Sequence, residues 1–460
     1  MKIEELFKTQ KNIPRNSELR GYSHRLKHLN LLMCLVEEHE KEILKALEID
    51  LKKPEIEAFA SEVHYVKDEI NFTRKRLKKW MRDKRVKGAY TLWPSRSHIR
   101  SEPFGVCLII GPWNYPFQLL LSPLIGAIAA GNTAILKPSE LAPNVSAIIS
   151  KLIQKYFDPE IVSVVEGGIP ETQKLLELQF DKIFYTGSTA VGKIVMESAA
   201  KNLTPVTLEL GGKSPCIIWD CSNIEIAARR IVWGKFYNAG QTCVAPDYLV
   251  VPSDKEAEIV EKLKEYIIIF YGSDASSSSD FGKIINKKHH SRLGDLIDKP
   301  ESILFQAGRS NPEKEFFPPT MMKATFDDKV MEDEIFGPIL PVLTFEKLNE
   351  ALDVIASRPN PLALYVFTDN KQVEEEVLGL VNSGGACIND TIVHLTNPYL
   401  PFGGVGESGM GAYHGKHSFD CFSHKRAILK RSFWFDLSLR YPPFSRKKVD
   451  QFKKILKLLN

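Results

Sequence analysis

Cysteine is scarce in this 460-residue sequence: there are seven (Cys34, Cys107, Cys216, Cys221, Cys243, Cys387, Cys421), an odd number with no CxxC spacing. That pattern argues against a disulfide framework and a cysteine-based zinc site, and it fits a reducing compartment, read here as the cytoplasm. Net charge is also low. The 61 Lys and Arg against 57 Asp and Glu leave +4, too even a balance for nucleic acid as the main partner. No apolar run stands at the N-terminus, where Met1-Lys-Ile-Glu-Glu-Leu-Phe7 carries charges, so export is not expected. No internal repeat of fixed period is present. Long hydrophobic runs are missing as well. Residues 104–136 contain no charge, but Pro112, Asn114, Pro116, Pro123, Gly131 and Asn132 cut them into pieces too short to cross a bilayer. A strand, a loop, a buried helix and another strand are expected there.

What the chain does have is alternation. Residues 1–88 read as helical throughout, with Leu31, Leu32, Leu35 and Val36 and then Ile43, Leu44 and Leu47 at helix-face spacing. The basic run at 74–85 places Leu77, Trp80 and Met81 at i, i+3 and i+4, so it reads as a solvated helix face in preference to a nucleic-acid patch or targeting signal. Residues 89–103 turn to short extended pieces (Thr91, Leu92, Trp93, Ile99) and predict a β-arm outside the main sheet. Strands are then expected at 106–110, 133–136, 161–165, 182–185 and 206–210, separated by helices near 117–130, 145–156, 171–176 and 190–200. This alternation predicts an α/β, doubly wound parallel sheet, whose ligands bind at the carboxyl ends of the strands. After Gly211-Gly212 a second α/β domain is expected, with strands at 216–219, 248–251, 340–344, 364–367 and 385–388, helices at 224–236 and 255–270, and an exposed loop at 272–280. In the C-terminal tail Val449, Phe452, Ile455, Leu456 and Leu459 oppose Lys453, Lys454 and Lys457. That helix reads as a docking element in preference to a weak membrane-surface contact.

Several stretches carry chemistry. In Asn238-Ala-Gly-Gln-Thr-Cys-Val-Ala-Pro-Asp247, Cys243 sits among turn residues and is a candidate nucleophile; the alternative is a buried small hydrophobe. Val206-Thr-Leu-Glu-Leu-Gly-Gly-Lys213 puts Glu209 inside an apolar strand, where a carboxyl group gains the raised pKa a proton-transfer group needs. Asn114, in Gly111-Pro-Trp-Asn-Tyr-Pro116, is either an oxyanion donor or a turn-forming Asn. Lys137-Pro-Ser-Glu140 follows the second strand of the sheet, where a nucleotide ribose would lie; Glu140 would repel a 2′-phosphate and so favours NAD over NADP. Thr186-Gly-Ser-Thr-Ala-Val-Gly192 is a glycine turn opening a helix, a setting for phosphate, although its spacing is not GxGxxG. His414, His417, Asp420 and Cys421 match no zinc spacing, and no metal is expected.

Taken in order, Pro112-Trp-Asn114, Lys137-Pro-Ser-Glu140, Tyr185-Thr-Gly-Ser188, Leu208-Glu-Leu-Gly-Gly-Lys213, Gly240-Gln-Thr-Cys243, Glu334-Ile-Phe-Gly-Pro338 and Pro401-Phe-Gly-Gly-Val-Gly-Glu-Ser-Gly409 resemble the NAD(P)-dependent aldehyde dehydrogenase superfamily over nearly the full length. Asn114-Tyr115, Cys243-Val-Ala-Pro-Asp247 and Gly409-Met-Gly-Ala-Tyr-His-Gly415 look most like its class 3 branch, which acts on medium- and long-chain aliphatic and aromatic aldehydes. The resemblance implies an aldehyde dehydrogenase-like fold in the following parts. N-terminal helices (1–88) join a doubly wound NAD-binding domain (104–210). A small β oligomerisation arm (89–103, with part of 415–440), an α/β catalytic domain (211–412) and a basic tail (441–460) complete the chain. It implies Cys243 as nucleophile, Asn114 as oxyanion donor and Glu209 as the base that hydrolyses a thioester. It also implies Lys137, Glu140, Thr186, Gly187, Ser188, Gly192, Glu334 and Phe336 as cofactor contacts, with NAD and alternatively NADP as cofactor. Tyr65, Tyr115, Trp233 and His394 are candidates for a substrate funnel or for core packing. A homodimer is implied. The rivals are an acylating dehydrogenase that passes its thioester to coenzyme A, disfavoured because Glu209 is present, and a binding or structural protein on the same fold, disfavoured because the catalytic set is complete.

Overall fold

Runs of β-branched and other apolar residues become central strands because both of their faces are covered: Val106–Ile110, Lys182–Thr186 and Ala363–Phe367 are buried along their whole length. In the computed structural model, which describes residues 2–13, 18–89, 92–436 and 438–459, the strands form three sheets. Met1, Thr91 and the side chain of Leu459 lie outside the described residues.

The first sheet has six strands in the order Gly409–Met410, Val206–Glu209, Lys182–Thr186, Val106–Ile110, Thr133–Lys137 and Val162–Val164. All pair in parallel except Gly409–Met410, which runs antiparallel against Leu208 and Glu209. Chain order runs one way from Val106–Ile110 through Thr133–Lys137 to Val162–Val164, then jumps back to Lys182–Thr186 on the other side of Val106–Ile110. The reversal point therefore lies between Ile110 and Tyr185, and the loops at 111–116 and 186–192 leave the sheet there. The helix Gln118–Ala130 is buried throughout and ends at Gly131 with φ 89°.

The second sheet has seven strands: Ile303–Gln306, Thr320–Lys323, Ile339–Phe345, Tyr248–Pro252, Pro215–Ile218, Ala363–Phe367 and Gly385–Ile388. Only its first pair is antiparallel. The third is an antiparallel ribbon of Lys84–Val86, Ser95–Pro103 and Ser423–Arg431, the last two in register from Ser423 opposite Pro103 to Arg431 opposite Ser95.

Three details differ from the sequence reading. The N-terminal helices stop at Trp80, and Lys84–Val86 is a strand, because these residues pair with Ser97, His98 and Ile99. Ile303–Gln306 and Thr320–Lys323 are strands that the reading did not contain, and Gly409–Met410 joins the first sheet from far downstream. The tail forms the helix Arg446–Leu459, with Val449 and Phe452 exposed. Among the described residues no helix is long and apolar enough to cross a membrane.

Candidate active site

The strand ends at the reversal point open into a cleft of about 830 Å³ between the two large sheets. Its walls bring together Asn114, Thr186, Glu209, Cys243, Glu334 and Phe336 from five separate segments of the chain.

Cys243 follows a tight turn in which Asn238 (φ 53°), Ala239 (φ 52°) and Gly240 (φ 74°) are all left-handed. Only glycine fits at 240, because a β-carbon there would collide with the Gly337 carbonyl. Gln241 fastens the turn: its Nε2 donates to the carbonyls of Asn238 (3.1 Å) and Lys283 (2.9 Å), and its Oε1 accepts from the Ile285 N–H (3.0 Å). The Cys243 thiol is enclosed by protein on most sides yet faces the cleft. Burial pushes its pKa up, and the carboxyl groups of Glu334 and Glu209 push it further; the backbone N–H groups of Cys243 and Val244 act in the opposite direction. These effects together favour the thiol form, so a nucleophilic role for Cys243 calls for a proton acceptor nearby. Asn114 Nδ2 donates to the Gln241 carbonyl (3.0 Å), which leaves its second hydrogen for another oxygen.

Glu209 ends the strand Val206–Glu209, is 2% exposed, and neither of its carboxyl oxygens has a hydrogen-bond partner. Burial alone raises its pKa well above the usual carboxylate range. The antiparallel strand Gly409–Met410 pairs with it, and the Leu210 N–H donates to the Ser408 carbonyl (3.1 Å), so the Pro401–Gly409 motif braces Glu209. Glu334 faces the cleft with its pKa raised to about 8, first by burial and then by the Asp247 carboxylate. Asp247 holds the Glu334 loop by accepting from the Ile335 N–H (3.0 Å) while it pairs with Lys213 (2.5 Å). The Phe336 ring meets Trp113 edge-on at 5.3 Å between centroids.

On the sheet side, Thr186 Oγ1 is buried without a partner, and Ser188 caps the helix Thr189–Ala200 by accepting from the Val191 N–H. Gly187 and Gly192 let the turn close: a β-carbon on the first would strike the Tyr185 hydroxyl, and on the second it would lie 2.7 Å from Leu210 Cδ2. An orphan hydroxyl and a helix N-terminus at the reversal point suit the pyrophosphate of a dinucleotide. Lys137 and Glu140 lie one strand further along the same edge and outside the cleft walls. Lys137 Nζ donates to the Pro138 carbonyl (2.7 Å) and pairs with Glu140 at 3.5 Å, and burial lowers its pKa.

None of the four funnel candidates lines this cleft. Tyr65 and His394 share an aromatic group: Tyr65 Oη lies 3.1 Å from the His414 ring nitrogens, and His394 packs on Tyr365 and Phe402. Burial lowers the His394 pKa to about 4, and neither ring nitrogen has a partner. Tyr115 is buried and bonded to Thr242 Oγ1 (2.7 Å), next to Cys243. Trp233 is partly exposed against Tyr237. Sequence reasoning missed Lys53, Glu57 and Glu62, which contact the two loops of the site from the N-terminal segment 53–62. Their one signal was a cluster of charges in a segment that otherwise packs inward.

Comparison with known proteins agrees with this geometry. The profile of the Aldehyde dehydrogenase family matches residues 8–428. The chain is 46% identical over 446 residues to the 4,4'-diaponeurosporen-aldehyde dehydrogenase of Staphylococcus aureus, covering 97% of each. It is 47% identical over 434 residues to the "Aldehyde dehydrogenase, dimeric NADP-preferring" of Mus musculus, covering 94% of this chain and 96% of that one. A solved structure of substrate-bound Staphylococcus aureus AldH superposes with TM-score 0.96 at 45% identity, over 99% of this chain and 100% of the other. An NAD+ complex of a Bacillus cereus aldehyde dehydrogenase superposes at 0.82 and 26% identity, over 93% and 89%. With the family profile spanning nearly the whole chain and the strand-end loops converging on one cleft, this protein belongs to the aldehyde dehydrogenase family of NAD(P)-dependent oxidoreductases.

Proposed function

We propose that the enzyme oxidises hydrophobic aliphatic or aromatic aldehydes to carboxylic acids through a covalent intermediate on Cys243. The observation that carries this reading is the meeting of Cys243, Asn114 and Glu209 in one cleft. Cys243 Sγ bonds to the aldehyde carbon as its proton passes to the Glu209 carboxylate, which releases it to water before the later step. The oxygen that becomes negative is held by the free hydrogen of Asn114 Nδ2 and the Cys243 N–H. The nicotinamide cofactor, when bound, supplies the acceptor for the hydride lost from that carbon, and a thioester remains on Cys243. Glu209 then takes a proton from water as the water oxygen bonds to the thioester carbon; the C–S bond breaks and the acid leaves. A carboxyl group whose pKa burial raises suits this step, because it is a stronger proton acceptor than an exposed carboxylate.

Thr186, Ser188 and the N-terminus of the helix Thr189–Ala200 are the residues to hold the pyrophosphate, with Glu334 and Phe336 on the nicotinamide side. Lys137 and Glu140 are placed for the ribose, and the Glu140 carboxylate favours NAD over NADP. The substrate class is supported by Trp113 and Phe336 in the cleft wall and by the Staphylococcus aureus relative, named for 4,4'-diaponeurosporen-aldehyde. The test is NAD(P)H formation by the purified protein with an aliphatic and an aromatic aldehyde, with NAD and with NADP, in the absence of coenzyme A. Reduced cofactor and the matching acid are expected. Turnover that needs coenzyme A would overturn the hydrolytic step.

A further inference from the structure

The turn before Cys243 carries three consecutive left-handed residues, two of them not glycine, and such a conformation persists only where its surroundings hold it. Part of that hold comes from far away in the chain. Glu57 Oε2 accepts the backbone N–H of Asn238 at 3.0 Å, and the Glu57 carbonyl accepts from the Tyr237 hydroxyl at 3.3 Å. Glu57 lies in the short helix Glu55–Ala58, which runs directly into a π-helical turn at Phe59–His64. Insertions of this kind are rare and concentrate at functional sites.

The same π turn reaches the other half of the site. Glu62 Oε2 accepts the N–H groups of Phe117 (3.0 Å) and Gln118 (2.9 Å), at the start of the helix Gln118–Ala130. Glu62 Oε1 pairs with Lys53 Nζ at 2.6 Å, and Lys53 Nζ also donates to the Asn114 carbonyl at 3.1 Å. The Asn238 carboxamide closes the circuit, donating to that Asn114 carbonyl (2.9 Å) and to the Gln241 carbonyl (3.1 Å). Lys53 and Glu62 are fully buried, and none of the three charged residues touches the cleft. Their contacts are to the backbone of the nucleophile turn and of the Asn114 loop.

We propose that Glu57 is a positioning residue for Cys243: it holds the left-handed Asn238–Ala239 turn in register with the Asn114 loop, which the adjoining π turn fixes through Glu62 and Lys53. One N-terminal segment thereby sets the distance between nucleophile and oxyanion donor. The inference rests on Cys243 being the nucleophile. It assigns Glu57 a function that neither its exposure nor its place outside the cleft advertises.

The experiment compares the native enzyme with Glu57→Ala, Glu57→Gln and Cys243→Ala. For each, kcat and KM for a single aldehyde, the dissociation constant for cofactor, and the iodoacetamide rate at Cys243, read by mass spectrometry, are measured. Glu57→Ala is expected to lower both kcat and the alkylation rate at least tenfold, with aldehyde KM and cofactor affinity within twofold. Glu57→Gln keeps an acceptor for the Asn238 N–H and is expected to retain at least a third of kcat. The proposal is overturned if Glu57→Ala stays within twofold of native in kcat and alkylation, or if it loses cofactor binding in parallel with activity. Should Glu57→Ala not fold, Glu57→Asp, whose carboxylate is drawn back by one methylene, carries the test: a fivefold fall in kcat supports positioning and native kcat overturns it. Residual turnover in Cys243→Ala, or a native Cys243 no more reactive than the other cysteines, would sink the nucleophile reading itself, independently of any result at Glu57.

Discussion

At the scale of single residues, burial separates the carboxyl groups of this enzyme into different tasks. Glu209 has no partner at either oxygen and a pKa raised by burial alone, which suits a proton acceptor. Glu209→Gln is therefore expected to slow acid release at least a hundredfold and the first turnover of reduced cofactor by less; stopped-flow absorbance against steady-state rate separates the two. Equal loss in both phases would remove Glu209 from the hydrolytic step. Glu69 is a second buried carboxyl with an orphan oxygen, its pKa raised to about 7 by burial, while Ser418 Oγ donates to its other oxygen at 3.2 Å. Its folded pKa lies above the ordinary value of 4.5, so the folded protein keeps a proton that the unfolded chain has already lost. The stability this provides is complete below about pH 4.5 and is lost as pH rises through about 7. Glu69→Gln removes the ionisation, and at pH 8 it is expected to exceed the native protein in unfolding free energy by up to about 3 kcal/mol, with little difference at pH 4. Urea midpoints at the two pH values check this. A variant less stable than native at pH 8 contradicts it.

At the scale of elements, most helices and central strands behave as their apolar patterns dictate, and the surprises are edge strands and buried charges. Lys53 and Glu62 sit on N-terminal segments that the sequence reads as helical, and the pair is completely buried at 2.6 Å. Leaving one member of such a pair alone in the interior costs about 3–5 kcal/mol. Lys53→Met is thus expected to lower unfolding free energy by about 3 kcal/mol, measured by urea denaturation. A change below 1 kcal/mol would show the pair to be hydrated in solution. The basic run at 74–85 teaches the same lesson in reverse. Its helical part packs Leu77 and Trp80 inward as the spacing indicates, but the helix ends at Trp80 and Lys84–Val86 becomes a strand. A pairing partner at Ser97–Ile99, contributed by tertiary structure, decides that boundary. The strand Gly409–Met410 likewise exists because Leu208 and Glu209 offer it an edge.

At the scale of the whole molecule, the antiparallel ribbon stands apart from the two large sheets, and Ser423–Arg431 is an outer strand along its nine residues. Trp93, Phe433 and Trp434 beside it are exposed. Open strand edges and exposed aromatics are features of a surface that pairs with another chain. The enzyme is expected to run as a dimer in light scattering after size exclusion, at the mass of two chains; a monomer at micromolar concentration would contradict that assembly. What the sequence by itself determined is the central parallel strands, their order of alternation with helices, the placement of Glu209, Asn114 and the glycine turn at or just after strand ends, and that of Cys243 on a turn. The reason is local: strands buried on both faces are written as contiguous apolar runs, and a catalytic residue at a strand end is flanked by the turn residues that expose it. Only the tertiary structure decided that Glu57 would grip Asn238 across 181 positions, that Lys53 and Glu62 would be buried, and that the Pro401–Gly409 motif would brace Glu209. A charge carries no mark of its burial until the elements around it pack, so contacts between distant segments are settled by packing and leave no periodicity to read.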